Sequence, residues 1–489
     1  MNNYKNQDFL WHGASEVDQS QLPPEDVFEA GEHHHAIANT AWPIAHNKTM
    51  QHYKVPHEDL QAHVIKSWSE VSEMCLYLHI PFCEKICNFC EYCVIAPEIK
   101  EKEEKEYFAW LAKELEMYRK FVWTQTKSLI WFDIWGGTPS SVDSKYIWDI
   151  MNQVSKNFHL PSDMNISIET TPKIAAEDAQ KMKDYYDMGI RRISMWVQSV
   201  ASTDIGREST SMSWNKEATE NIRKAWFDQF NIDIMYWFAR QWIKHVRNTI
   251  EHILSLDPEF VTVYRMRYKW TNVEAKAAKV DIEEVMRQYE YIKTKLAEQW
   301  YKIRHGKNTF SKMDGNDGLS DYLHNRVERA TPYLGVWLGA QSYNPFNTLS
   351  YNSGAALKHT FPYLKKLSQD ELPIETAHHL SREAAMAKMI SVAFYSGGIH
   401  LKSFQNTFWV SLYEAFPCEI EFVSKHWYMS YDPRYWTMQL TDLGAKNYSW
   451  VIALFYNWEV KKHLLELDTN AWMKGRGKRS RPAIHKDIK

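Results

Sequence analysis

Five of the six cysteines in this chain fall between Cys75 and Cys93, and only Cys418 lies elsewhere. Cys83, Cys87 and Cys90 are spaced C-x3-C-x2-C, and Cys93 follows three residues later in the run LYLHIPFCEKICNFCEYC. Thiolates are soft ligands that favour iron–sulfur clusters or zinc. A structural zinc site usually draws on two separated ligand pairs. Here all the candidates share one loop. Three cysteines can hold three irons of a cubane and leave the fourth iron open to a small molecule. A zinc knuckle of Cys83, Cys87, Cys90 and Cys93 is the competing reading. A disulfide framework is not needed by a chain of 489 residues, which can bury a large core without staples.

Those cysteines must be delivered by an element. Leu76, Tyr77, Leu78, His79 and Ile80 form an apolar strand-like run that ends at Pro81. From there short β-rich runs alternate with helical ones. Strands are expected at 75–80, 128–134, 164–169, 191–197, 231–236 and 259–264. Helices are expected near 101–122, 144–157, 174–187, 214–228 and 243–255. Six β/α units in series imply parallel strands with right-handed crossovers. The second strand runs into WGGTPS, where Gly136 and Gly137 let the backbone approach a ligand closely. The third ends in Glu169, the fourth in Gln198, and the fifth carries Asp233; Arg207 lies in the loop between the last two. The charge run Glu101–Glu106 suits a solvated helix face.

The flanks say less. Residues 1–70 read as polar and irregular, and the run His33, His34, His35 is either a metal-binding tract or a solvated segment. Residues 281–305 read as a long helix running into a strand, and 371–397 as helical. The basic tail 473–489 reads as disordered rather than nucleic-acid binding. Formal net charge is −3, which gives no global polyanion-binding signal. No apolar run reaches the roughly 18 residues of a membrane span. No secretory leader is evident in MNNYKNQDFLWHG. Clustered thiols suit a reducing, cytoplasmic compartment.

C-x3-C-x2-C is similar to the signature of radical SAM enzymes. The longer string, with HIPFC before Cys83 and Phe89 before Cys90, resembles the oxygen-independent coproporphyrinogen III oxidase-like branch of that superfamily. The resemblance implies an α/β fold: a radical SAM partial (β/α)6 barrel over 71–305, after an N-terminal extension 1–70. A C-terminal α+β, winged-helix-like domain would cover 306–472, carrying LTDLG (Leu440–Gly444), with the tail beyond. Barrel chemistry then sits at the C-terminal ends of the strands. It implies that Cys83, Cys87 and Cys90 hold a [4Fe–4S] cluster, with Cys93 outside the ligand set. S-adenosylmethionine would bind the open iron. Gly136, Gly137, Thr138 and Glu169 would meet its amino group, Gln198 and Asp233 its ribose, and Arg207 its carboxylate region. Phe89 would contribute to the adenine pocket, and Tyr77 would pack near cluster and cofactor. Gln341 stands where the family has histidine.

The implied chemistry is reductive cleavage of S-adenosylmethionine to a 5′-deoxyadenosyl radical that abstracts a substrate hydrogen. The resemblance favours a tetrapyrrole substrate and a flavodoxin- or ferredoxin-like electron donor. The PRYTSYPT-like segment of true coproporphyrinogen oxidases has no match in residues 1–70. Alternatives are a haem-binding chaperone, a radical SAM methyltransferase or a haem-degrading relative, or a structural iron–sulfur or zinc protein.

One compositional fact stands apart: 22 Trp against 17 Gly. Trp135, Trp196, Trp226, Trp237, Trp270, Trp300 and Trp337 all stand where the family carries glycine. Tryptophan neither adopts φ > 0 cheaply nor permits close backbone approach. UGA is tryptophan in some genetic codes and glycine in others, so one translation table applied to the other lineage would produce this pattern. A diverged, inactive paralogue is the other explanation.

Overall fold

The computed structural model describes residues 22–34, 46–90, 92–95, 97–122, 126–162, 164–201, 211–268, 271–303, 308–316, 318, 321, 323–354, 360–395 and 398–473. In chain order the strands are β1 (Glu73–Ile80), β2 (Lys127–Gly136), β3 (Phe158–His159), β4 (Ile166–Thr170), β5 (Ile190–Gln198), β6 (Gln229–Tyr236), β7 (Phe260–Arg265) and β8 (Thr309–Ser311). They continue as β9 (Tyr333–Val336), β10 (Gln341–Asn344), β11 (Thr348–Asn352), β12 (Ile374–His379), β13 (Gly398–His400), β14 (Met429–Asp432) and β15 (Thr437–Leu440).

Strands β1, β2, β4, β5, β6 and β7 lie side by side, each parallel to the next. These are the six expected strands, and helices separate them in sequence. The helices Ser144–Asn157 and Ile243–Leu256 bury Ile147, Ile150, Val154 and Val246, Ile250, Ile253 respectively. That i, i+3/i+4 spacing is what puts a helix face against a sheet. Residues 174–187 are split at Asp178 into two short helices, whose second is capped by the Asp178 carboxylate accepting from the Lys181 amide. The sheet then extends at both ends. β8 pairs antiparallel with β7, while β9 pairs parallel with β1 and carries β10, β11 and β12 beyond it. A separate three-stranded sheet, β13-β15-β14, packs with the C-terminal helices around a second core containing Phe404, Phe416, Val423 and Phe455.

Three expectations need correction. The stretch 371–397 is not all helix: Ile374–His379 is β12, and the helix begins at Arg382. Ile374, Ala377 and His378 are buried while Glu375 is exposed, so sheet packing decides this short run. Residues 1–70 are not irregular throughout, since Pro24–His34 and Leu60–Ser69 are helices. Val27 and Ala30 enter the second core and Val64 and Trp68 the first, and this burial offsets the weak local signal. In the stretch 281–305 the helix is Ile282–Glu298, and beyond it Lys302 makes an isolated bridge to Ser311 of β8 in place of the expected strand.

Candidate functional site

The cysteine loop leaves the C-terminal end of β1, and the GGT turn leaves β2 beside it. The two are laced by backbone: the Gly137 amide donates to the Ile80 carbonyl and the Thr138 amide to the Phe82 carbonyl, both at 2.7 Å. The Ile95 amide closes the loop onto the Pro81 carbonyl at 2.8 Å. This approach demands glycine. A Cβ on Gly137 would stand 2.6 Å from the Phe82 oxygen and 2.9 Å from Cys83 Sγ, and Gly136 has φ +128° against the His79 ring.

Cys83 is buried and Cys87 and Cys90 are half-buried. The Thr138 hydroxyl donates to Cys83 Sγ at 3.7 Å. Burial pushes the Cys83 thiol up to about 12, with Thr138 pulling the other way. A buried thiol of this kind ionises when a metal compensates its charge. Cys75 is a different kind of cysteine: it is enclosed by Trp131 and Tyr333 within the sheet, away from the loop. Cys93 lies in the loop, and its backbone carbonyl receives a bond from His79.

That histidine was not singled out from sequence. His79 Nε2 lies 2.7 Å from the Cys93 carbonyl and Nδ1 lies 3.0 Å from the Tyr77 hydroxyl. A carbonyl only accepts, so Nε2 carries the proton and Nδ1 accepts from Tyr77. Burial holds the ring neutral, lowering it to about 4. Tyr77 therefore orients a histidine that holds the far end of the loop. Phe89 is anchored beside Phe238, Met266 and Val273, and the Asn272 amide donates to the Asn88 carbonyl at 3.1 Å.

Inside the sheet the polar residues converge in register. Tyr77 faces Asp133, Trp196 faces Asp233, and Glu169 pairs with Ser194. Asp133, Glu169 and Asp233 are all buried. Burial raises each carboxyl: Asp133 and Glu169 well above their usual range, Asp233 to about 6. Asp233 adds to the rise at Glu169, and Arg192 is the cation opposing it. The Asn231 amide donates to Asp233 at 2.7 Å and the Trp196 indole to Glu169 at 2.8 Å. Asp133 Oδ1 has no hydrogen-bond partner, and neither does either end of the Gln198 amide, which sits on a residue with φ 62°. Buried orphan acceptors and surplus carboxylates are costly unless something cationic and hydrogen-bonding occupies the space between them. Asp133 was missed although it interrupts the apolar run SLIWFDI, which is a readable signal. Arg207 lies outside the described residues.

Gln341, in β10, donates to the Tyr351 hydroxyl at 2.9 Å. His33 and His34 both meet the same oxygen of Asp468, at 2.7 and 3.0 Å. These are hydrogen-bond lengths, and they join the end of the helix Pro24–His34 to Asp468. Among the described residues no helix is long and apolar enough to cross a membrane.

No family model matches the chain. It is 25% identical over 358 residues to the haem chaperone HemW of Bacillus subtilis, covering 70% of this chain and 88% of that one. It is 25% identical over 343 residues to an oxygen-independent coproporphyrinogen III oxidase of Cereibacter sphaeroides, covering 66% and 73%. Among solved structures, the Escherichia coli coproporphyrinogen III oxidase HemN, a radical SAM enzyme, superposes with a TM-score of 0.66 at 18% identity, over 80% of this chain and 93% of that one.

Proposed function

We propose that this chain, which resembles the oxygen-independent coproporphyrinogen III oxidase-like radical SAM family in sequence and shares the fold of HemN, is a radical SAM enzyme acting on a tetrapyrrole. The observation that carries the reading is the joint placement of three loop cysteines and a Gly136–Gly137 turn at one end of a parallel sheet whose interior gathers the buried carboxyls of Asp133, Glu169 and Asp233. Cys83, Cys87 and Cys90 would hold a [4Fe–4S] cluster, and the donor set fits it: three thiols, one of them packed against glycine.

S-adenosylmethionine fits the rest. Its ammonium and sulfonium suit the buried carboxylates of Glu169, Asp233 and Asp133, and its ribose suits the unsatisfied amide of Gln198. When bound, cluster and cofactor supply one-electron cleavage and a radical that takes hydrogen from the substrate. The protein's own part is to bind, to orient and to keep water out. The interlaced β1 and β2 turns fix the loop, Tyr77 and His79 hold its far end, and Phe89 closes its side with Phe238.

The B. subtilis relative is named a haem chaperone, and this supports a second reading, in which the chain binds haem and hands it on. Anaerobic reconstitution followed by S-adenosylmethionine and dithionite separates the two. Cofactor cleavage stimulated by coproporphyrinogen III, with a changed mass of that compound, is the expected result. Tight haem binding without substrate-stimulated cleavage would replace it with the carrier. Zinc in place of iron and sulfide would overturn both.

A further inference from the structure

Seven tryptophans sit in left-handed or otherwise positive-φ backbone: Trp226 (73°), Trp237 (74°), Trp300 (67°), Trp337 (107°), Trp409 (56°), Trp427 (57°) and Trp436 (54°). Only five other non-glycine residues do so among the described residues: Gln198, Arg240, Asp257, Ala330 and Asp370. Bulky side chains are outliers in this region, where glycine is at ease. We infer that these seven positions carry glycine in the protein the cell makes, each encoded by UGA in a code that reads it as glycine.

The surroundings say glycine independently of the angles. Three of the seven end helices in the same way. After Met212–Lys224, the Trp226 amide donates to the Arg223 carbonyl at 3.0 Å and the Phe227 amide to the Ile222 carbonyl at 3.4 Å. After Ile282–Glu298, Trp300 donates to Ala297 at 3.0 Å and Tyr301 to Leu296 at 3.1 Å. After Pro417–Lys425, Trp427 donates to Ser424 at 3.2 Å and Tyr428 to Val423 at 2.9 Å. This paired bonding is the Schellman motif, and its left-handed residue is usually glycine. Gly189 occupies the corresponding place after Ala179–Asp187, with φ 95°. The three indoles are 74%, 83% and 73% exposed, so no burial offsets the backbone they force.

Trp409 ends the helix Leu401–Phe408, and Trp436 closes the β14–β15 hairpin. Trp237 and Trp337 directly follow β6 and β9. Trp337 is fully buried, and its ring centroid lies 3.4 Å from that of Tyr107 and 4.1 Å from that of Tyr363. Aromatic pairs prefer centroids about 4.5–7 Å apart. Both separations are shorter than an indole takes comfortably.

Trp68, Trp110 and Trp131 make the contrast. The first is buried in the main core, the second is an ordinary helical residue bonded to Glu106, and the third packs in β2 against Tyr333. None has positive φ.

Two measurements test the inference. The gene should read UGA at codons 226, 300 and 427, and peptides from the native host should carry glycine there; UGG, or tryptophan in the native peptides, overturns it. In recombinant chains, glycine at all seven positions should raise Tm by at least about 10 °C, or give soluble protein where the tryptophan chain aggregates. Trp110→Gly should lower Tm. If Trp226→Gly and Trp300→Gly lower it as Trp110→Gly does, the backbone does not ask for glycine and the inference fails. Neither result depends on the cofactor reading.

Discussion

The α-carbon of Gly137 sits against Cys83 so closely that a single added methyl would stand 2.9 Å from its sulfur. The turn after β2 and the cysteine loop are thus fitted to each other. Gly137→Ala is expected to displace Cys83 and to lose most of the reconstituted iron while the fold persists. Iron per chain and visible absorbance, beside a far-ultraviolet circular dichroism spectrum, measure this. Full iron loading would show that the fit is incidental.

Single replacement of Cys83, Cys87 or Cys90 by alanine should abolish cluster formation. Cys93→Ala should keep it, because three thiols suffice for the proposed cluster and the His79 bond that holds the loop at residue 93 is to the backbone carbonyl, which alanine retains. Four equivalent losses in an iron and sulfide assay would put Cys93 among the ligands.

Glu169 is occupied by the Trp196 indole at 2.8 Å. Trp196→Gly should release the carboxylate and tighten S-adenosylmethionine binding about tenfold, the range of one hydrogen bond to a charged group. Glu169→Gln should weaken binding in either background. Calorimetric titration of reconstituted protein reads both, and an unchanged Kd in Trp196→Gly would detach Glu169 from the cofactor.

Glu114, on the helix Pro97–Met117, is fully buried and accepts from Asn352 at 2.9 Å and from Tyr363. Burial raises its carboxyl from 4.5 to about 8, with those two bonds pulling down. Between these values the folded chain keeps a proton that the unfolded chain releases. Stability from this group is therefore complete below the unfolded value and declines as pH rises through the folded one. Glu114→Gln should flatten that decline in Tm across the window. Parallel curves for the two proteins would rule the group out.

The six parallel strands were legible because each is a short β-rich run between longer helical ones, and the cysteine loop because its spacing is local. Burial against distant partners was not legible: the helix Pro24–His34 is fixed by Val27 and Ala30 meeting the C-terminal core. The sheet interior was half legible. Glu169 and Asp233 end or punctuate strands, and Asp133, though missed, was readable as the charge that interrupts the apolar run SLIWFDI. His79 read as one residue of an alternating strand, and its role depends on a carbonyl fourteen residues on. Trp409, Trp427 and Trp436 were not separated from ordinary tryptophans until their dihedrals were known. The sequence signal was nonetheless present at Trp427, which directly follows the basic end of a helix, VSKH.

The strand that carries the cysteines is held on both sides, by β2 and, through Cys75–Leu78, by Tyr333–Val336 of β9. A shortened chain ending near residue 305 would keep every cysteine of the loop and every interior carboxylate. It would also strip one side of β1, leaving a row of bare amides and carbonyls directly beneath the cysteine loop. Such a raw edge recruits another strand. The minimal fragment that looks sufficient for the site would therefore self-associate through the strand from which the cysteine loop departs. The second half of the chain is as much a splint for β1 as a module with its own purpose.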